Sequence, residues 1–170
     1  MKKVIIQGSS RSSGNTNKVV QLLMKQMDFD LIDLSLKRIE QFDYEFKNHD
    51  DDFLPIIRDV ANNYSLIVMA TPVYWYSMSG TMKTFFDRIT DCLRMEKETG
   101  RKLRGKNMAV ISCGSEQTEK DGFFLPFSKS AEYLGMNYIG DVHTWIEGDV
   151  VSSEVEERIL NFTKLLNESN

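Results

Sequence analysis

Apolar residues along this chain follow two rhythms that alternate. Val4-Ile5-Ile6, Leu66-Ile67-Val68-Met69-Ala70 and Met108-Ala109-Val110-Ile111 are short unbroken runs, the pattern of strands buried on both faces. Two further strands are predicted over residues 29–34 and 138–146. Between the runs, apolar positions recur at helical spacing. Val20, Leu23, Met24 and Met27 mark one face of a helix over residues 16–27, and Met82, Phe85, Phe86, Ile89 and Leu93 one over residues 81–94. Val155, Ile159, Phe162 and Leu166 mark a last helix, opened by Ser153-x-x-Glu156 read as a capping box. A helix over residues 53–63 takes Pro55 in its first turn, and another falls within residues 122–133. Residues 96–106 read as a charged connection broken by Gly100 and Gly105. In residues 35–52 the alternating Phe42, Tyr44 and Phe46 fit an edge strand or, preferred here, a loop whose aromatics pack back on the body. Strand–helix alternation of this kind predicts a three-layer α/β sandwich. Five parallel strands lie in the order 2-1-3-4-5, with helices on both faces and right-handed crossovers. The ligand crevice is expected at the carboxyl ends of strands one and three.

Composition narrows the classes. A chain of 170 residues, 41% hydrophobic and 27% charged, fits one soluble globular domain over residues 1–170. Net charge is -4 with no basic stripe, which argues against nucleic acid. Only three apolar residues follow Lys2-Lys3 before Gln7 and Gly8, too few for a signal peptide, and no apolar run reaches membrane length. Cys92 and Cys113 form neither a metal spacing nor a disulfide framework, so a reduced, cytoplasmic setting is expected. Cys92 reads as core. Asp50-Asp51-Asp52 reads as a helix start complementing the dipole; a carboxylate metal site there lacks a second ligand cluster. His49 beside it reads as a solvated loop residue.

Three loops carry unusual content, and the predicted topology brings them to one rim. The first, Gly8-Ser9-Ser10-Arg11-Ser12-Ser13-Gly14-Asn15-Thr16-Asn17, joins a strand to a helix start and is rich in hydroxyl and amide donors. Helix N-termini favour anions, so the loop suits a phosphate, although a plain serine-rich turn has the same local features. It is not a P-loop, because Asn15 stands where the lysine belongs, and it lacks G-x-G-x-x-G. A monophosphate is the remaining ligand. The second loop, residues 71–79, places Tyr74, Trp75, Tyr76 and Met78 at the sheet edge behind Pro72. Such surface suits a flat ring, a partner subunit or core packing. The third, Ser112-Cys113-Gly114-Ser115-Glu116, can hold the other edge of a ring.

With residues 8–16, Thr71-Pro72-Val73-Tyr74-Trp75 and Ser79-Gly80-x-x-Lys83-x-Phe85-x-Asp87-Arg88, the chain resembles the flavodoxin-like NADPH-dependent FMN reductases. That group includes NAD(P)H:quinone and nitro reductases and iron–sulfur flavoproteins. The resemblance runs from Lys2 to about Tyr138 and implies FMN as cofactor and NAD(P)H as co-substrate. It nominates Ser9, Arg11, Ser13, Asn15, Thr16 and Asn17 for the FMN phosphate, and Pro72, Val73, Tyr74, Trp75 and Ser77 for the ring. Cys113, Gly114 and Ser115 follow for the ring's pyrimidine side. It further implies hydride transfer to a small acceptor such as a quinone, nitro or azo compound or free flavin, no essential side-chain base, and a homodimer or homotetramer. Tyr76 and Met78 are candidates for a wall facing acceptor or partner. The rival reading is a flavodoxin-type electron carrier, which the mild net charge disfavours. A redox sensor built on Cys113 is weaker still, since a cysteine after a buried strand is usually inert. Residues 35–52 contain no cysteine, unlike the cluster-bearing relatives. Iron and acid-labile sulfide assayed in anaerobically purified protein should both be absent.

Overall fold

Side-chain alternation along the strands divides the core into two layers. The computed structural model describes residues 2–169. Its strands are β1 (Lys2–Gln7), β2 (Asp30–Asp33), β3 (Tyr64–Tyr74), β4 (Ser77–Met78), β5 (Asn107–Gly114) and β6 (Asn137–Trp145). Its helices are α1 (Asn15–Gln26), α2 (Phe53–Asn63), α3 (Gly80–Arg94), α4 (Lys97–Leu103), α5 (Leu125–Leu134) and α6 (Ser153–Glu168). Val4, Ile6, Ile67, Met69, Met108 and Val110 point to one face, where α2, α3 and α5 supply Phe53, Phe85 and Phe127. Ile5, Leu66, Val68, Ala70, Ala109 and Ile111 point to the other, against Val19 and Leu23 of α1 and Val155, Ile159 and Phe162 of α6.

The sheet runs β2-β1-β3-β5-β6, all parallel, with β4 antiparallel to the end of β3. Without that short β4 this is the expected 2-1-3-4-5 order of a flavodoxin-like α/β fold. The register sets Gln7 beside Ala70 and Pro72 beside Cys113, so β1, β3 and β5 end together at one rim.

Several expected boundaries change for identifiable reasons. Residues 97–103 form α4 rather than an irregular connection. Gly100 disguises it, yet a Cβ there would stand 2.4 Å from the Cys92 carbonyl oxygen. Glycine is what lets α4 approach α3 so closely. The last helix is capped by Ser152, whose hydroxyl accepts from Val155 N at 3.3 Å, and not by Ser153. Phe42 packs on Tyr44 and Phe46, with ring centroids 5.0 and 5.9 Å away, and Tyr44 remains 87% exposed. These aromatics cluster mainly with one another rather than burying themselves on the body. Residues 71–79 are not a loop: β3 continues to Tyr74 and turns back through Trp75 and Tyr76 into β4.

The largest departure lies in the Asp50-Asp51-Asp52 run. Asp51 is buried and ion-paired with Arg88, which is 1% exposed and also binds Asp91 through Nε at 2.8 Å. Arg88 further donates to the carbonyls of Glu40 (3.1 Å) and Asn48 (2.7 Å), and its guanidinium lies 4.9 Å from the Phe53 ring centroid. All its donors are engaged, so one side chain of α3 fastens the long segment before α2. Burial alone would raise the Asp51 pKa. The Arg88 hydrogen bond and the N–H groups of Glu40 and Phe53 outweigh it and hold the carboxyl below its ordinary 3.8. The ionised Asp51 therefore contributes stability that is complete above about pH 4 and is lost as pH falls through the folded-state pKa. Arg88→Ala leaves two buried carboxylates uncompensated and should cost about 3–5 kcal/mol in urea unfolding at pH 7. Asp51→Asn should flatten the acid limb of the stability profile.

Candidate functional site

The rim begins with a close approach. A Cβ on Gly8 would lie 2.7 Å from Met82 Cβ, so glycine lets the end of β1 rest on α3. Gly8 N donates to the Ala70 carbonyl at 2.8 Å. Ser79 completes the junction: its hydroxyl donates to the Gly8 carbonyl, accepts from Met82 N at 3.0 Å as the α3 cap, and its N–H donates to Thr71 Oγ1 at 3.1 Å. Beneath the loop, buried Gln7 accepts from Asn17 Nδ2 at 3.0 Å and donates to the Ser12 carbonyl at 3.3 Å. Asn17, nominated for the phosphate, thus has its amide nitrogen engaged in bracing the loop.

The helix that follows has no cap of its own. Gly14 is the α1 N-cap, no side chain bonds the first N–H groups, and the first turn has no acidic residue. An anion is the natural partner of such a start. Around it, Ser9 and Thr16 are buried, Asn15 is half-buried, and Ser13 and Arg11 are exposed. The Arg11 guanidinium forms no ion pair among the described residues.

The second wall is the β3–β4 hairpin. Trp75 and Tyr76 occupy its turn with φ of 48° and 65°, left-handed values that ordinarily select Asn or Gly. Both are also exposed, at 93% and 69%. The turn thus holds strained backbone at an exposed apolar rim. Tyr74 and Ser77 pair across the turn, and the Tyr74 hydroxyl meets Ser10 Oγ at 3.2 Å. Pro72 and Met78 are buried and Val73 is half-buried.

Between the hairpin and the segment after β5 is a cavity of about 330 Å³, lined by Val73, Trp75, Tyr76, Gly114, Ser115, Glu116, Thr118, Lys120 and His143. Lys120 pairs with Glu116 at 2.6 Å and lies 5.8 Å from the Tyr76 ring centroid, spanning the two walls. That hydrogen bond holds the Glu116 carboxyl below its usual range. His143 is buried; Nε2 meets the Glu116 carbonyl at 2.9 Å and Nδ1 meets Ser112 Oγ at 2.8 Å. A carbonyl only accepts, so Nε2 carries the proton and Nδ1 accepts from Ser112. The Cys113 side chain points into the α1–α6 layer, which leaves its backbone, with Gly114 and Ser115, at the rim. Burial pushes the Cys113 thiol up to about 11 and, with Asp91 and Glu96 nearby, the Cys92 thiol up to about 12. Neither is a reactive thiolate at neutral pH.

Sequence reasoning missed Gln7, Thr118, Lys120 and His143, and gave no individual role to Ser79, Ser112 or Glu116 within the stretches it singled out. Only the Glu116–Lys120 spacing of four gave a signal. Among the described residues no group of His, Cys, Asp or Glu could hold a metal, and no helix is long and apolar enough to cross a membrane.

The family model of NADPH-dependent FMN reductases matches residues 1–148. The chain is 30% identical over 152 residues to YwqN of Bacillus subtilis (strain 168), named for NAD(P)H-dependent, FMN-containing oxidoreductase activity; the match covers 84% of this chain and 83% of YwqN. It is 27% identical over 90 residues to an NADPH azoreductase of Bacillus sp. (strain OY1-2), covering 53% of this chain and 51% of that protein. Among solved structures, the Trp repressor binding protein of Bacillus subtilis superposes with a TM-score of 0.79 at 24% identity, over 99% of this chain and 100% of that one. An FMN-dependent NADH-azoreductase of Bacillus anthracis, solved with FMN, gives 0.72 at 15% identity over 100% of both chains. The chain belongs to the NADPH-dependent FMN reductase family. It is an enzyme of the NAD(P)H-dependent FMN reductase type, and the electron-carrier reading falls away.

The strained turn generates a test. Replacing Trp75 with Asn and Tyr76 with Gly supplies residues that favour left-handed φ, and should raise stability by about 1–2 kcal/mol in urea unfolding. The same change should lower turnover, because it strips the rim of both rings.

Proposed function

We propose that this enzyme passes a hydride from NAD(P)H, by way of bound FMN, to a small aromatic acceptor such as a quinone, nitro or azo compound or free flavin. The observation that carries the proposal is the pairing of two features on one rim: an uncapped helix start ringed by hydroxyls and Arg11, and an aromatic-walled slot beside it. These residues fit FMN, whose phosphate and flat ring need those two environments. FMN, when bound, supplies the hydride-accepting and hydride-donating chemistry.

The protein's part is to bind, orient and exclude water. Ser9, Ser13, Thr16, Asn15 and the first N–H groups of α1 hold the phosphate, with Arg11 adding charge and Asn17 bracing through Gln7. Pro72, Val73, Tyr74 and Ser77 present the hairpin's edge to the ring, and the backbone of Cys113, Gly114 and Ser115 meets its pyrimidine side. Trp75 and Tyr76 shield the slot that nicotinamide and acceptor use in turn. The azoreductase among the relatives supports an aromatic acceptor. A homodimer belongs to the same reading, since the exposed Tyr74, Trp75 and Tyr76 offer a second copy an apolar contact beside the slot.

FMN should bind more tightly than riboflavin, and Arg11→Ala should weaken FMN binding by about 1.5–3 kcal/mol in a fluorescence titration. Equal affinity for the two flavins would remove the phosphate loop from the reading. FMN-loaded protein should oxidise NADPH with a quinone and no added reductase. Trp75→Ala and Tyr76→Ala should retain FMN while kcat/KM for the acceptor falls about 5- to 150-fold. Unchanged reductive and oxidative half-reactions in both variants, by stopped flow, would show the aromatics to be packing only.

A further inference from the structure

We infer that a second cavity beside the phosphate loop receives the phosphorylated ribose of NADPH, with Lys37 reading its 2′-phosphate; the inference rests on the oxidoreductase reading. The cavity, about 420 Å³, lies between the loop after β1, the turn after β2 and the first turns of α3. Its polar lining is Ser10, Ser35, Lys37, Thr81 and Thr84.

Charge pairing distinguishes two cations within the rim. Lys18, Lys83, Lys120 and Arg158 are each matched by a carboxylate, and Arg88 by two. Arg11 and Lys37 are the exceptions at this rim: among the described residues, neither side chain has an ion pair or hydrogen bond. Unmatched cations occur elsewhere on the surface, Lys97 and Arg104 among them, but these two share a rim with unpaired hydroxyls, and that combination points to anions that arrive with ligands. Arg11 stands in the loop that suits the cofactor phosphate. Lys37 stands outside that loop, across the cavity, and calls for a second anion.

The hydroxyls say what kind. Thr81 and Thr84 lie three apart on α3, hence on one face, and their hydroxyls make no hydrogen bond within the described residues. A neutral donor pair beside an ammonium suits a phosphomonoester on a sugar. Asp33 does not compete for the same space, because its Oδ1 is committed to Ser35 N and Oγ at 2.9 and 2.7 Å. The cavity also adjoins the first site. Ser10 lines it and bonds the Tyr74 hydroxyl of the hairpin, and Ser12 bonds Ser35 across to the turn after β2. A dinucleotide with its nicotinamide at the aromatic slot can cross the Ser10–Tyr74 contact and lay its adenosine half here. NADH carries a hydroxyl where NADPH carries the phosphate, so Lys37 would discriminate between them.

The test uses FMN-loaded protein with Lys37→Ala, Lys37→Glu and Thr84→Val, all changes at exposed or half-exposed positions. The ratio of kcat/KM for NADPH to that for NADH should fall about 10- to 100-fold in Lys37→Glu, the range for one charge-assisted hydrogen bond, and less in the other two. By calorimetry, 2′,5′-ADP should bind the parent protein and bind Lys37→Glu at least tenfold more weakly, whereas 5′-AMP should bind both weakly. An equal loss with both coenzymes would assign Lys37 to the shared pyrophosphate and overturn the inference, as would an unchanged ratio with unchanged 2′,5′-ADP binding. Parent protein that retains FMN and oxidises NADPH while Lys37 proves silent sinks this inference alone. Protein that neither holds FMN nor oxidises NAD(P)H sinks the oxidoreductase reading itself.

Discussion

The hydroxyl of Ser79 is the point on which the functional rim depends. It donates to the end of β1 and caps α3, while the N–H of the same residue donates to Thr71 Oγ1 of β3, so one residue joins three elements. Because the hydroxyl is buried, the Gly8 carbonyl and the Met82 N–H would each lose a partner without it. The phosphate loop and the aromatic hairpin are therefore not two independent loops that happen to be near. Their separation is fixed by one side chain and by the glycine contact of Gly8 on Met82. A ligand with a phosphate at one end and a ring at the other requires that kind of fixed spacing.

The sheet was legible because its strands are buried on both faces, which leaves continuous apolar runs in the sequence. What escaped was set by contacts between distant residues. Arg88 stands in a helix read for its apolar stripe, and Asp51 in a run read for its charge; only the fold brings them together. Helix α4 was hidden because Gly100 serves packing against Cys92 while its local preference argues for a break. The Ser152 cap lay one residue before a capping box that looked better on paper.

The site divides along the same line. The residues around the α1 start were readable because donors and glycines were contiguous. The hairpin was legible as aromatic surface but not as a hairpin, since Trp75 and Tyr76 stand where a tight turn prefers Asn and Gly. Local preference and the observed backbone conflict there. His143 gave no signal at all. It is one residue of a strand, and its importance comes from Ser112 on the neighbouring strand and the carbonyl of Glu116 beyond it.

That histidine has a consequence for the shape of the slot. With Nε2 donating to a carbonyl and Nδ1 accepting from a serine, both ring nitrogens are occupied where the imidazole borders the slot. Glu116 and Lys120, which also line the slot, are tied to each other. The polar side chains bordering the slot therefore hold one another in place, and the ring of His143 ties the end of β5 to the segment that closes the cavity, so the depth of the slot is set by β5 and β6 and its mouth by the hairpin.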